Sequence, residues 1–251
     1  MKIIKTTVLF ILIQLFFTAQ SFSQDGTSIL NKMDAVLSAP KDRTGTIEII
    51  LISKSGKEKV REAEMMQLGR DKKIYRYTKP ESQEGIATLS LPDGVMWLYM
   101  PAFGKPKKIS LLAKSQAFNG TDFSAEDMDT RPYTERFTPK LIETNDKSYV
   151  VEMIPKSDKS QYSKIIVTID KINYYPESMV YYDKSGRKYK EATYTYKKSG
   201  RYWYASEVTM KNLKKNHISK IKLTNMKFDQ GLSADLFTVE KLVPEKKEEK
   251  K

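Results

Sequence analysis

The sequence contains no cysteine. That excludes disulfides, thiolate metal sites and cysteine nucleophiles. A secreted chain without disulfides must take its stability from a core large enough to supply it. Histidine is nearly absent too: the single one, His217, sits among Lys214, Lys215, Asn216 and Ser219. With no nucleophile partnered to it, His217 reads as an exposed turn residue and not as a general base. Neither a G-x-S-x-G elbow nor a glycine-rich phosphate loop occurs. Glycosidase carboxylate pairs leave no local motif, so a hydrolase with scattered acids stays open as a rival.

Long apolar runs are also scarce. The one candidate, residues 8–17, follows the basic start Met1-Lys2-Ile3-Ile4-Lys5 and leads into small and polar residues that include Ser21 and Ser23. This pattern predicts a secretory signal peptide over 1–23, cleaved before Gln24. The alternative is a membrane anchor, but the run is shorter than the ~20 residues that span a bilayer. Lipid anchoring of a bacterial lipoprotein needs a cysteine at the cleavage site, where Gln24 stands. The expectation is therefore a mature protein that is soluble in the periplasm or secreted outright.

What is abundant is positive charge, with 44 basic against 31 acidic residues and a net +13. Removing Lys2 and Lys5 with the signal leaves 42 − 31 = +11. Such a surface attracts nucleic acid, anionic lipid or acidic glycans. The predicted compartment excludes nucleic acid, and the even spread of Lys and Arg makes much of the charge a solvated face.

In chain order, 27–37 predicts a helix capped by Asp25 or Thr27, with Ile29, Met33, Val36 and Leu37 on one face. From Thr44 onward the pattern is strand and turn. Lys-Ser-Gly-basic turns at 54–57, 184–187 and 198–201 predict hairpins, each with one glycine at positive φ. Strands are predicted at 47–52, 60–68, 74–77, 149–154, 163–169, 177–182, 189–196, 202–210 and 218–228. Ser124 predicts a helix cap with Glu126, Asp127 and Asp129 in the first turn, where carboxylates suit the helix dipole. As calcium ligands, Asp122, Glu126, Asp127 and Asp129 fail the alternate spacing of an EF-hand loop. No metal and no cofactor is expected. The mixed-charge tail 244–251 lacks apolar residues and is predicted to be disordered.

The most informative stretch is 89–129. Asp93-Gly94 is a hairpin turn signal. After it Val95, Trp97 and Tyr99 alternate with Met96, Leu98 and Met100, so the strand is apolar on both faces. An antiparallel strand with one wet face should alternate apolar with polar. Either helices cover both sides or one side faces an apolar ligand.

Asp93-Gly94-x-x-Trp97-Leu98-Tyr99-x-Pro101-Ala102, then Lys107-Lys108-Ile109-Ser110, then Phe118-x-Gly120-Thr121-Asp122-Phe123-Ser124-x-Glu126-Asp127, resembles the outer-membrane lipoprotein-sorting protein family, relatives of the periplasmic carrier LolA. The resemblance extends more weakly over 44–242. It implies one domain over 24–243, mainly β: a curved antiparallel sheet forming an incomplete half β-barrel of about a dozen strands. Two or three helices would close it over a hydrophobic cavity. It implies a periplasmic, monomeric, non-catalytic carrier for the acyl chains of lipoproteins or another lipid. Such a carrier would receive cargo from an inner-membrane donor and deliver it to an outer-membrane receiver.

By position, the resemblance implies that Tyr75 and Tyr77 point into the cavity. It also places a lid-holding arginine near Arg70, though not in register. On the doubly apolar strand, the flexible Met96, Leu98 and Met100 suit a mobile chain. Trp97 and Tyr99, rigid with polar tips, suit a packed or rim position. The expected cavity lining is Tyr75, Tyr77, Met96, Leu98, Met100, Phe103 and Phe123, closed by Met128 on the lid helix. Lys105, Lys107 and Lys108 are expected near its mouth, against anionic membrane or an acidic partner. A structural envelope protein with a filled core is the alternative, distinguished by the absence of a cavity.

Overall fold

The computed structural model describes residues 25–109, 120–124 and 126–244. The signal peptide expected at 1–23, Ser110 and Phe118 of the family motif, and residues 245–251 of the charged tail lie outside the described residues.

Helix α1 (Gly26–Leu37) opens the described chain, with the Asp25 side chain accepting from the Ser28 N–H at 2.6 Å. Ile29, Leu30 and Met33 are completely buried. Leu30 widens the predicted stripe, while Val36 stays half-exposed. Ser38 ends the helix, its hydroxyl and N–H both bonding to the Asp34 carbonyl.

Thirteen strands follow in one antiparallel sheet. They are β1 (Asp42–Ile52), β2 (Glu58–Leu68), β3 (Lys72–Lys79), β4 (Ala87–Leu91), β5 (Val95–Tyr99) and β6 (Lys107–Lys108). Then come β7 (Phe137–Thr144), β8 (Ser148–Pro155), β9 (Tyr162–Asp170), β10 (Pro176–Asp183), β11 (Lys188–Ser199), β12 (Tyr202–Asn212) and β13 (His217–Phe228). The order β6-β5-β4-β3-β2-β1-β13-β12-β11-β10-β9-β8-β7 makes two runs of consecutive hairpins, joined where β1 pairs with β13. The sheet is open and curved, with one edge at β6 and the other at β7. Pro139 sits on that second edge, where a missing N–H does no harm to the ladder.

The predicted turn glycines Gly56, Gly186 and Gly200 all have positive φ. Asp93 and Gly94 do as well, at 58° and 66°, and Leu91 pairs directly with Val95 across that turn.

Each face of the sheet is covered differently. Helix α1 packs against β7, β12 and the one-turn helix α2 (Tyr133–Arg136). Beneath it lies the largest core cluster, in which Ile29, Leu30 and Met33 meet Val151, Met153, Val167, Met179 and Met210. On the opposite face, residues 232–242 lie across β2–β5. Phe237 and Leu242 pack there on Ile74, Leu89 and Tyr99. The Arg76 guanidinium donates to the carbonyls of Lys241 and Leu242 at 2.8 and 3.0 Å. Asp42, 3% exposed, pins the start of this strap by accepting the N–H groups of Gln230, Gly231 and Leu232.

The expected lid helix after Ser124 is a single capped turn. Ser124 and Asp127 exchange N–H to side-chain bonds at 2.7 and 3.2 Å, and the Met128 N–H reaches the Ser124 carbonyl. Pro132 follows too soon for a second turn, because the residue before a proline is pushed out of the helical region.

Candidate functional site

A pocket of about 300 Å³ opens on the face that carries α1. Strand alternation builds it: residues i and i+2 share a face. Thus Arg43, Ile47 and Ile49 of β1, Ala63, Met65 and Gln67 of β2, and Lys73, Tyr75 and Tyr77 of β3 all line it. Ile221 and Leu223 of β13 continue the wall, and Val208, Ala205 and Trp203 of β12 extend it toward Tyr194 and Tyr196 of β11. Leu37 of α1, Phe123, Met128 and Tyr133 border it from the other side.

Aromatic rings recur along this lining. Burial pushes the phenols of Tyr181, Tyr194 and Tyr196 well up, so each stays a neutral donor. Tyr133, Tyr181 and Tyr194 all direct their hydroxyls at the Met179 sulfur, at 3.4–3.9 Å. That leaves ring faces and edges for the pocket.

One end of the pocket is cationic. Register aligns Arg43 with Gln67 and Gln67 with Lys73 across β1, β2 and β3. The Arg43 guanidinium donates twice to the Gln67 amide oxygen, at 2.9 and 2.7 Å. The Gln67 amide nitrogen in turn donates to the Gly69 carbonyl. Burial, with Arg43 nearby, lowers the Lys73 ammonium from 10.5 to about 7. Arg70, the residue near the family's lid-holding arginine, lines the same pocket.

A buried polar network ties the segment 121–129 to the sheet. Lys190 and Asp127 pair at 2.9 Å with side chains 3% and 2% exposed. The Tyr162 hydroxyl donates to Asp127 at 2.6 Å, and burial together with that carboxylate pushes the phenol far up. Glu126 accepts from the Ser160 hydroxyl and the Gln161 N–H. Asp129 is bound by Arg131. Glu126, Asp127 and Asp129 therefore have three separate sets of partners.

His217 departs from the expected exposed turn residue. Its Nδ1 lies 2.6 Å from the buried Asp122 carboxylate, which also accepts from the Ser219 hydroxyl at 2.7 Å. Ser219 is fully buried and Asp122 stands between it and the imidazole. A hydrolytic triad needs the histidine between serine and acid. Chain separation hid this contact, since Asp122 and His217 are far apart in sequence.

The expected lining residues divide into groups. Tyr75, Tyr77, Phe123 and Met128 line the pocket. Met96 borders a second hollow beside it, shared with Met128, Asp129 and Arg136. Leu98 lies in neither, but the register Tyr75–Thr88–Leu98 puts it on the same sheet face as Tyr75. Trp97 and Tyr99 face the other way, against residues 232–242. Met100 and Phe103 border neither hollow, and Phe103 is exposed with the Lys107 ammonium 4.5 Å above its ring. Lys105, Lys107 and Lys108 are exposed at the β6 edge and border neither hollow. Two strands separate β5 from β2, which is why the doubly apolar strand sits beside the pocket and not in its centre.

A family model described only as an uncharacterized protein matches residues 69–243. No curated protein matches. Among solved structures, an outer membrane lipoprotein-sorting protein domain from Vibrio parahaemolyticus is 27% identical with a TM-score of 0.80. That match covers 87% of this chain and 98% of the other.

The chain belongs to the family whose model matches residues 69–243, and its fold is that of outer-membrane lipoprotein-sorting, LolA-like structures.

Two further members of this fold are a DUF1329 family protein from Desulfovibrio piger and a LolA superfamily protein from Nitrosomonas europaea. The first is 22% identical, with a TM-score of 0.80 over 86% of this chain and 97% of that one. The second is 23% identical, with a TM-score of 0.70 over 85% and 97%. At those identities the likeness extends to the fold alone. For a lipoprotein-sorting relative, the aromatic pocket and its cationic end are the features to explain. Sequence reasoning named Tyr75, Tyr77 and Phe123, but missed Tyr133, Tyr181, Tyr194, Tyr196 and Trp203 as well as Arg43, Gln67 and Lys73. Their signal was present: Lys73 shares the alternation of Tyr75 and Tyr77, and Arg43 that of Ile47 and Ile49.

Proposed function

We propose that this protein is a periplasmic carrier that shields acyl chains of a lipid or lipoprotein in the pocket and delivers them to the outer membrane without covalent chemistry. The observation that carries this reading is the pocket itself, whose walls are Ile47, Ile49, Met65, Tyr75, Tyr77 and Leu223. A protein folded only for stability would fill such a space, because voids forfeit contacts on one side. In this reading α1 and the capped turn at Met128 close the sheet over the cargo as a half-barrel. Burial of acyl chain contributes about 0.8 kcal/mol per methylene, so partial enclosure already gives useful affinity. Release then needs a receiver that buries the chain comparably well.

Among the described residues no helix is long and apolar enough to cross a membrane. The basic edge at Lys105, Lys107 and Lys108 supports transient contact with anionic membrane, which salt would screen beyond ~10 Å. Replacing all three with glutamate should weaken binding to anionic vesicles and flatten its salt dependence. Unchanged, salt-indifferent binding would remove this contact from the reading.

The carrier reading is tested by filling the pocket. Ala205 is half-buried on the β12 wall. Ala205→Phe should abolish lipid loading while changing stability little, since the new ring enters open space. In a filled core the same change would overpack, at a cost of ~1–3 kcal/mol. A destabilised variant together with lipid-free wild type would favour the structural alternative.

A further inference from the structure

The cationic end of the pocket has no use for a purely neutral cargo. Arg43, Arg70 and Lys73 all line it, yet among the described residues none forms an ion pair with a carboxylate. Arg43 has only the neutral Gln67 amide oxygen as acceptor. Asp71 faces Lys73 without closing an ion pair and accepts from the Thr130 hydroxyl at 3.4 Å, and the other acids here are engaged elsewhere. Asp129 is held by Arg131, while Asp34 accepts the N–H groups of Tyr133 and Thr134. Asp127 belongs to Lys190 and Tyr162. A half-buried cation without a direct ion pair is unfavourable, which makes an arriving anion a fitting partner. Arginine beside lysine suits an oxyanion, the first by its fork of donors and the second as a point charge.

The geometry points to a bipolar site for an anionic amphiphile: its carboxylate or phosphodiester head at Arg43, Lys73 and Arg70, and its apolar chain along Tyr75, Tyr77 and Leu223. This rests on the carrier reading and narrows it, because the acylated end of a lipoprotein presents amides and esters and no such anion.

Lys73 gives the site a second signature. Facing it are Arg43 from β1, Asp71 from the turn before β3, and Asp129 from the segment over the pocket. Its ammonium is lowered to about 7, and an anion placed beside it would raise that value. Binding at pH 8 should therefore take up protons.

The experiment uses delipidated mature protein and calorimetry with oleate, its neutral isostere methyl oleate, phosphatidylglycerol and diacylglycerol. Oleate should bind at least about tenfold more tightly than methyl oleate, or phosphatidylglycerol than diacylglycerol. The pair showing the preference identifies the head as carboxylate or phosphodiester. Lys73→Met and Arg43→Met should erase the preference but keep neutral chain binding, while Lys73→Arg retains it. Proton uptake, measured in buffers of differing ionisation enthalpy, should vanish in Lys73→Met. Circular dichroism confirms that each variant is folded. Equal binding of charged and neutral chains, unmoved by these variants, overturns the bipolar site and leaves the carrier intact. Binding of inorganic phosphate with no charge preference among amphiphiles overturns it equally. Failure of every amphiphile to bind overturns the carrier reading itself.

Discussion

Lys73 is the residue where packing and ionisation are most directly opposed. Its folded value near 7 lies below its ordinary 10.5, through burial first and the charge of Arg43 second. Between those two values the unfolded chain binds the extra proton, so stability of the empty protein rises as pH increases from about 7 toward 10.5. Urea unfolding of delipidated protein at pH 7 and pH 10 should show this rise, and Lys73→Met should lose that component. A variant with the wild-type slope would place the titrating group elsewhere. Gly26 makes a different single-residue demand. A Cβ there would stand 2.9 Å from the Leu141 backbone nitrogen, so α1 approaches β7 closer than any side chain permits. Gly26→Val should shift the helix off the edge strand and lower the unfolding midpoint, whereas Gly56→Asn, strained only by its positive φ in an open turn, should cost less.

At the scale of elements, the Lys190–Asp127 pair is the most deeply buried of the ties that hold the segment around Asp127 to the sheet. Removing one partner leaves a charge with no water or counter-ion, a loss of about 3–5 kcal/mol. Lys190→Met should therefore destabilise strongly, and Asp127→Leu in the same chain should restore part of the loss. Denaturant midpoints of the two singles and the double measure this; strictly additive losses would contradict the coupling. Much at this scale was legible in the sequence. Helix α1 and ten of the strands followed from capping, periodicity and glycine turns. Strand β7 was not legible, because Pro139 argues against a strand unless the strand is known to be an edge. The lid was read as a helix because Ser124 and Asp127 do form a cap; only Pro132 limits it to one turn. The His217–Asp122 contact joins elements too distant for any local signal.

For the whole molecule, the sheet divides its faces between two jobs. Residues 232–242 seal the outer side of β2–β5, using Trp97 and Tyr99, while the face of Tyr75 is left for the pocket. This accounts for the apolar Trp97 and Tyr99 side of the strand at 95–99, while on its other side Met96 borders the second hollow and Leu98 neither. The sequence could not place the pocket's centre, since strand order puts β4 and β3 between β5 and β2. The cationic end was illegible for a related reason: Arg43 and Lys73 look like any solvated residues until pairing aligns them with Gln67. The most direct test of the whole account is mass spectrometry of organic extracts from the protein purified out of its native envelope. The account predicts a co-purifying acyl-chain lipid, near one per protein, that is absent from extracts of Ala205→Phe. Lipid-free wild-type protein, or the same lipid at equal yield in the filled variant, would contradict it.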